Sequence, residues 1–177
     1  MQFKNLEIAV KKAYNLGFKY ESKYGGCAQA TIAAVFEALG LDINEEVFKS
    51  GTGLAGGLGV TGEGTCGALI GGAMVISYLF PRTYSNFNDP EGKRWRTYML
   101  VKKLVNMFVE KYGSCKCRDV QRKIFGRSYN LWDQKQFNDF EKAGGHKDKC
   151  PDVVGKVAMW TVEMIMDANT KLKGIRY

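Results

Sequence analysis

Apolar residues recur at helical spacing along most of the chain. The first segment shows this pattern on one face, formed by Leu6, Ala9, Val10 and Ala13. Residues three and four apart lie on the same side of a helix, so this spacing predicts an amphipathic helix with one buried face. Glycine is common just beyond a helix end, and we therefore predict that this helix ends near Gly17.

The remaining apolar pattern is also helical. It predicts helices over residues 27–39, 42–49, 67–80, 95–112, 118–125 and 151–172, with a short helix inside 126–148. Asn44 is placed to cap the second of these, because its side-chain oxygen can accept an N–H group of the first turn. No segment alternates cleanly enough for a strand. We predict an all-α fold, a compact helical bundle with a Gly-rich loop and irregular connections, which forms a single domain over residues 1–177.

Glycine is concentrated between residues 51 and 72. Residues 51–64 read GTGLAGGLGVTGEG, which is too rich in glycine for a helix interior and predicts a loop. A Walker A loop ends in Gly-Lys-Ser/Thr and a dinucleotide fingerprint follows a strand, and this segment shows neither feature. We instead predict that the loop brings its backbone close to a cofactor, with Gly26, Gly64 and Gly67 as cofactor-binding positions. In the helix predicted over residues 67–80, Gly71 and Gly72 are expected to let the backbones of neighbouring helices approach closely.

Composition excludes several classes of protein. Hydrophobic residues make up 45% of the chain and charged residues 25%, as in a globular domain. No apolar signal segment follows Met1, and the longest uncharged apolar run, residues 66–81, is too short to span a membrane. We expect a cytoplasmic protein that does not enter the membrane.

The net charge of +8 raises the question of an acidic partner. Because the basic residues are interspersed with helical core positions, we interpret most of them as a solvated surface. Docking of an acidic redox partner protein is the second interpretation. A nucleic-acid-binding protein is a third class, which predicts binding that weakens steeply with salt. No nucleic-acid motif is present, so no specific nucleic acid is expected.

Four of the five cysteines stand where a helix is predicted to begin: Cys27, Cys66, Cys117 and Cys150. The free N–H groups of a helix N-terminus carry about half a positive charge and stabilise a thiolate. Cysteines placed there are expected to be reactive and to be good metal ligands. An odd number of cysteines argues against a disulfide framework. We predict that the four helix ends converge on one site that needs sulfur.

The identity of that site stays open at the level of the residues. Four thiolates are the usual ligands of an iron–sulfur cluster, whereas structural zinc takes four Cys or His ligands. No C-x-x-C spacing supports either one. Cys115, two residues before Cys117, competes with it as the third ligand, and the two could instead form a thiol–disulfide redox pair. His146 lies four residues before Cys150 and could reach a metal, but we favour a solvated histidine among charged neighbours.

These cysteines and their surroundings resemble the C-GCAxxG-C-C family of redox-active proteins. The central motif stands at residues 66–71 as CGALIG, preceded by Gly-Glu-Gly. The first family cysteine is matched by Cys27, the third by Cys117 and the fourth by Cys150. The resemblance runs from about residue 20 to residue 165. Two features depart from the family pattern, namely the extra Cys115 and a long insert over residues 127–149.

The resemblance implies a helical redox domain that carries an iron–sulfur cluster, [2Fe-2S] or similar, because a related domain in split-Soret cytochromes is associated with such a centre. An iron-free thiol–disulfide module or a zinc–thiolate site is the alternative. The resemblance does not say whether the protein catalyses a reaction, and it specifies neither the electron donor nor the electron acceptor. We also expect a homodimer, as for many small redox domains.

Overall fold

All regular secondary structure in the described chain is helical. The computed structural model describes the backbone of residues 2–173 and the side chains of residues 6–168. The α-helices in that span are α1 (Gln2–Tyr24), α2 (Cys27–Ala38), α3 (Glu45–Ser50), α4 (Gly67–Leu79), α5 (Lys93–Tyr112), α6 (Cys117–Phe125), α7 (Gln134–Lys142) and α8 (Cys150–Lys173). Short 3₁₀ turns occur at Thr52–Leu54 and Tyr84–Asn86, and a π-helical turn at Gly145–Lys149 leads directly into α8. The predicted all-α fold is confirmed.

Helix α8 is the hub of the core. It packs along α1 and also contacts α2, α4 and α5. Its inward face consists of fully buried residues, among them Val154, Val157, Val162 and Ile165. Because these side chains pack against four other helices, α8 fixes the positions of those helices in the bundle. This packing also fixes the position of the first residue of α8, Cys150.

The predicted end of the first helix at Gly17 is wrong. Helix α1 continues to Tyr24, and Gly17 lies where α1 crosses α8. A Cβ at Gly17 would lie 3.1 Å from the Cα of Gly155 and 3.1 Å from the carbonyl oxygen of Val154. The absent side chain therefore allows two backbones to touch, which stabilises the crossing through packing rather than ending the helix.

Helix α4 uses glycine in the same way, as its sequence predicts. A Cβ at Gly71 would lie 2.4 Å from the carbonyl oxygen of Ala28 in α2, and one at Gly72 would lie 2.6 Å from Thr161 Oγ1 in α8. The close approach of α2, α4 and α8 brings the N-terminal ends of α2 and α4 side by side. Cys27 and Cys66 stand at those two ends.

The outer helices follow their predicted caps and faces closely. The Asn44 side chain accepts a hydrogen bond from the Val47 N–H at 3.0 Å and caps α3. Helix α5 buries Leu104 and Phe108 completely. The predicted short helix in the insert is α7, whereas Trp132 lies before it and is 75% exposed. No helix in the described residues is both long and apolar enough to cross a membrane.

Candidate functional site

Four cysteines line one cavity of about 310 Å³ at the end of the bundle. They are the four from predicted helix starts: Cys27, Cys66, Cys117 and Cys150. The other walls come from the end of α1, from the Gly-rich loop and from the insert over residues 127–149. The fold thus brings together side chains that lie up to 123 positions apart in the sequence. Their role as ligands stays a prediction.

Three of these cysteines stand at helix starts as predicted. Cys27 is the first residue of α2, Cys66 immediately precedes α4, and Cys117 is the first residue of α6. The turn into α2 is short because Gly25 and Gly26 both adopt left-handed backbone angles, with φ of 66° and 75°. This turn places the end of α1 beside the start of α2.

The fourth cysteine differs from its prediction. Cys150 opens α8, but the preceding π-helical turn runs into the helix without a break. The backbone N–H of Cys150 donates to the Gly145 carbonyl and is therefore not a free helix-terminal donor. Pro151 does occupy the first turn of α8, yet the helical path begins earlier. The prediction of a free N-terminus at Cys150 is wrong, although its side chain does line the cavity.

The Gly-rich loop holds two of the cysteines through its backbone. The Gly56 N–H donates to Cys27 Sγ at 3.4 Å. The Cys117 N–H donates to the Gly64 carbonyl at 2.9 Å, and a Cβ at Gly57 would lie 2.7 Å from the Cys117 Cβ. The loop therefore packs directly on both residues, as expected for backbone that approaches a cofactor site.

The three glycines predicted to bind a cofactor have different positions. Gly26 lines the cavity. Gly67 lies against Cys27, since a Cβ at Gly67 would be 2.4 Å from Cys27 Sγ. Gly64 is not on the cavity wall and acts through the hydrogen bond that its carbonyl accepts from Cys117.

Part of the Gly-rich loop has a left-handed backbone conformation. Residues 56–60 all have positive φ, between 52° and 70°, and two of them, Leu58 and Val60, are not glycine. A left-handed conformation costs a residue with a Cβ about 1–2 kcal/mol, and a β-branched residue such as Val60 rarely adopts it. Val60 nevertheless lines the cavity. Strain of this kind concentrates at functional sites, which agrees with a working role for this wall.

Cys115 lies elsewhere. Its side chain borders a separate groove between α4 and α5, next to Leu69 and Val105. Its backbone carbonyl accepts a hydrogen bond from the Cys66 N–H at 2.8 Å, so Cys115 supports the site through the main chain. Because Cys115 and Cys117 line different spaces, the geometry favours Cys117 as the third ligand and does not favour a redox pair between the two.

Burial governs the acidity of the cavity thiols. It raises the pKa of Cys66 and of Cys117 to about 12, and it raises the pKa of Cys27 and Cys150 well above the ordinary value. The amides of Ala68 and the next residue of α4 act in the opposite direction on Cys66 but are outweighed. The expectation that helix starts make these free thiols acidic is therefore wrong, because removal from water disfavours the thiolate more strongly.

Two further polar residues in the cavity were not predicted. Glu21, near the end of α1, is only 3% exposed, and its Oε2 atom has no hydrogen-bond partner. Burial raises the pKa of Glu21 to about 7, with His146 lowering it and Glu141 raising it. His146 lines the same cavity with its Nε2 atom 3.9 Å from Glu21 Oε1. The interpretation of His146 as a solvated histidine is thus incomplete, because its side chain is 31% exposed and also lines the cavity.

The insert over residues 127–149 closes the cavity. Its side chains on the cavity wall are Leu131, Phe137, Phe140 and His146. Trp132 Nε1 donates to the Gly59 carbonyl at 3.0 Å, which joins the insert to the Gly-rich loop. The insert therefore faces the same space as the four cysteines.

The sulfur atoms surround a space rather than a single point. Among the described residues, no group of three or more Cys, His, Asp or Glu side chains is arranged to hold a metal ion. Tetrahedral zinc with Zn–S bonds of about 2.3 Å needs its four sulfurs within about 4 Å of one another. A [2Fe-2S] cluster takes two protein ligands on each iron, so its donors need to converge only in pairs.

Comparison with known proteins places the chain in one family. A family model described as "Putative redox-active protein (C_GCAxxG_C_C)" matches residues 26–164. The chain belongs to this family, which confirms the resemblance carried by the cysteines and by the CGALIG motif. A protein of Archaeoglobus fulgidus, named only as an uncharacterized protein, is 23% identical over 163 residues, covering 90% of this chain and 97% of the relative. No solved structure matches the chain.

Proposed function

We propose that this protein is an electron-transfer or redox protein that binds a [2Fe-2S] cluster through Cys27, Cys66, Cys117 and Cys150. The observation that carries the proposal is the presence of these four thiols around one cavity. Membership of a redox-active family agrees with it. Such a cluster, when bound, supplies one-electron transfer.

The chain's own groups would hold and tune the cluster. The Gly56 N–H already points at Cys27 Sγ, and Gln121 Nε2 lies 3.8 Å from Cys117 Sγ. N–H groups directed at the sulfurs offset negative charge and raise the reduction potential. The mostly apolar walls of the cavity would limit the access of water to the cluster. Because the free thiols are protonated at neutral pH, loading of the cluster would release protons and would be favoured by higher pH.

Anaerobic purification tests this proposal. We expect coloured protein with about two iron and two acid-labile sulfide atoms per chain, as in a [2Fe-2S] cluster. Colourless protein without iron or sulfide, even after reconstitution with iron and sulfide, would overturn the proposal. One equivalent of zinc without sulfide would support the zinc–thiolate alternative instead.

Single Cys→Ser variants test the ligand set. Replacement of any of the four cavity cysteines should lower cluster content strongly, because one ligand is lost at each. Cys115→Ser is the matched control and should retain the cluster. Loss of the cluster in Cys115→Ser together with its retention in Cys117→Ser would reverse the assignment of the third ligand.

The choice of partner is a second part of the proposal. With a net charge of +8, an acidic redox protein is the partner that the charge favours. The rate of electron transfer to an acidic acceptor should then fall as salt is added. A rate independent of salt would argue against it. The homodimer and the cytoplasmic location stay predictions.

A further inference from the structure

One oxygen of a buried carboxylate in the cavity lacks a hydrogen-bond partner. Glu21 is 3% exposed, lines the cavity, and leaves Oε2 without a hydrogen bond. Buried polar groups are nearly always paired, and an unpaired buried charge is strongly unfavourable. An unsatisfied acceptor on a cavity wall therefore points to a donor that belongs to a bound molecule.

A histidine side chain lies close to the same carboxylate. His146 Nδ1 is hydrogen bonded to Glu141 Oε1, and because a carboxylate only accepts, Nδ1 carries the proton. The other ring nitrogen, Nε2, lies 3.9 Å from Glu21 Oε1, which is too far for a direct hydrogen bond and leaves room for a bridging group. Glu21 and His146 thus line the same part of the cavity.

The residues around Glu21 and His146 indicate the charge of the molecule that would bind there. No lysine or arginine in the described part of the chain lines this cavity. Phe140 lies beside the histidine, with ring centroids 5.3 Å apart, and Phe137 is slightly further at 6.5 Å. A carboxylate attracts a cation, and apolar rings beside it do not stabilise an anion.

The cavity is large enough for a small ligand. Its volume of about 310 Å³ far exceeds the roughly 30 Å³ that one water molecule takes up in the liquid.

We propose that Glu21 and His146, with Phe137 and Phe140, form a binding subsite for a small cation of the primary-ammonium class. Its N–H groups donate to the carboxylate and to the imidazole, and its carbon atoms lie against the two rings. Binding itself needs only groups of this chain. The role of this cation as a substrate or modulator beside a redox centre rests on the proposed function.

Titration of the purified protein with methylammonium chloride, followed by NMR, tests the subsite. Two non-hydrogen atoms limit the affinity to the millimolar range, so the titration extends to about 100 mM. We expect saturable binding of methylammonium, and at least tenfold weaker binding of tetramethylammonium, which has the charge but no N–H donor. Equal binding of the two cations, equal binding of acetate, or no binding of methylammonium would overturn the proposal.

Glu21→Gln provides the test by substitution. It keeps the shape of the side chain but removes the carboxylate, and we expect at least tenfold weaker binding of methylammonium. Glu163→Gln, at an exposed position of α8, is the matched control and should bind as the unmodified protein does. Unchanged binding by folded Glu21→Gln would overturn the proposal. If that variant does not fold, the comparison of the two cations on the unmodified protein still decides.

Iron and sulfide are measured in the same samples, so that the two proposals fail separately. A protein with a full cluster that does not bind methylammonium overturns the subsite alone. A protein that binds methylammonium but never holds iron and sulfide overturns the proposed function alone, and leaves the subsite in place.

Discussion

Replacement of Glu21 by glutamine should change how stability depends on pH. In the cofactor-free protein, burial raises the pKa of Glu21 from 4.5 to about 7. Below pH 4.5 the carboxyl is protonated in both the folded and the unfolded chain, so it contributes no pH dependence. Between pH 4.5 and 7 the unfolded chain ionises first. Stability therefore falls as the pH rises, because the folded state binds more protons.

The size of this effect follows from the shift. At about 1.4 kcal/mol for each pKa unit, the rise from 4.5 to about 7 corresponds to roughly 3 kcal/mol, fully present above pH 7. Glu21→Gln removes the ionisation. We expect the difference in free energy of unfolding, variant minus unmodified protein, to increase by about 3 kcal/mol between pH 4.5 and pH 8.

Urea denaturation followed by circular dichroism, on protein freed of metal with a chelator, measures this difference. The comparison between two pH values cancels any constant effect of burying the glutamine amide. Glu163→Gln serves as the exposed control and should follow the unmodified protein at both pH values. If Glu21→Gln and the unmodified protein lose stability in parallel, the carboxyl is not desolvated as the structure indicates and the reasoning fails.

The helix crossing and the closure of the cavity allow two further tests. Gly71→Ala should lower the free energy of unfolding by about 1–3 kcal/mol, because its Cβ would lie 2.4 Å from a backbone oxygen. Gly53→Ala is the control and should change the free energy of unfolding little, because nothing lies within 4 Å of that Cβ. Equal effects of the two substitutions in urea denaturation would contradict the close helix crossing at Gly71. Trp132→Phe removes the hydrogen bond to Gly59 that joins the insert to the Gly-rich loop. In cofactor-free protein, the cavity thiols should then react several-fold faster with a thiol reagent. An unchanged rate would show that this contact does not close the cavity.

Much of the fold could be predicted because local signals and tertiary packing agree. Asn44 caps α3 as its residue type indicates, and Gly71 allows α4 to meet α2. Gly17 shows the limit of such signals. A glycine that ends a helix and a glycine at a helix crossing look alike in sequence, and only the partner, Gly155, distinguishes them.

The candidate site was predictable in its sulfur atoms but not in its polar groups. Cysteines at helix starts are visible in sequence, and so is the family motif. Glu21 was missed because a glutamate in an amphipathic helix ordinarily faces water, and nothing nearby in sequence reveals that the insert covers it. One of its neighbours is His146, which lies 125 positions later in the chain. A lone histidine among charged residues gives no sign of such a contact.

The π-helical turn before α8 makes the site sensitive to chain length. Its hydrogen bonds run from a residue to the fifth residue before it, as from Cys150 to Gly145, so each turn holds one residue more than in an α-helix. One residue corresponds to about 100° of rotation about the helix axis. Deletion of a single residue within 147–149 would turn His146 away from the cavity while every cavity side chain kept its identity. Related proteins that differ in length here would differ in their chemistry even with the same four cysteines.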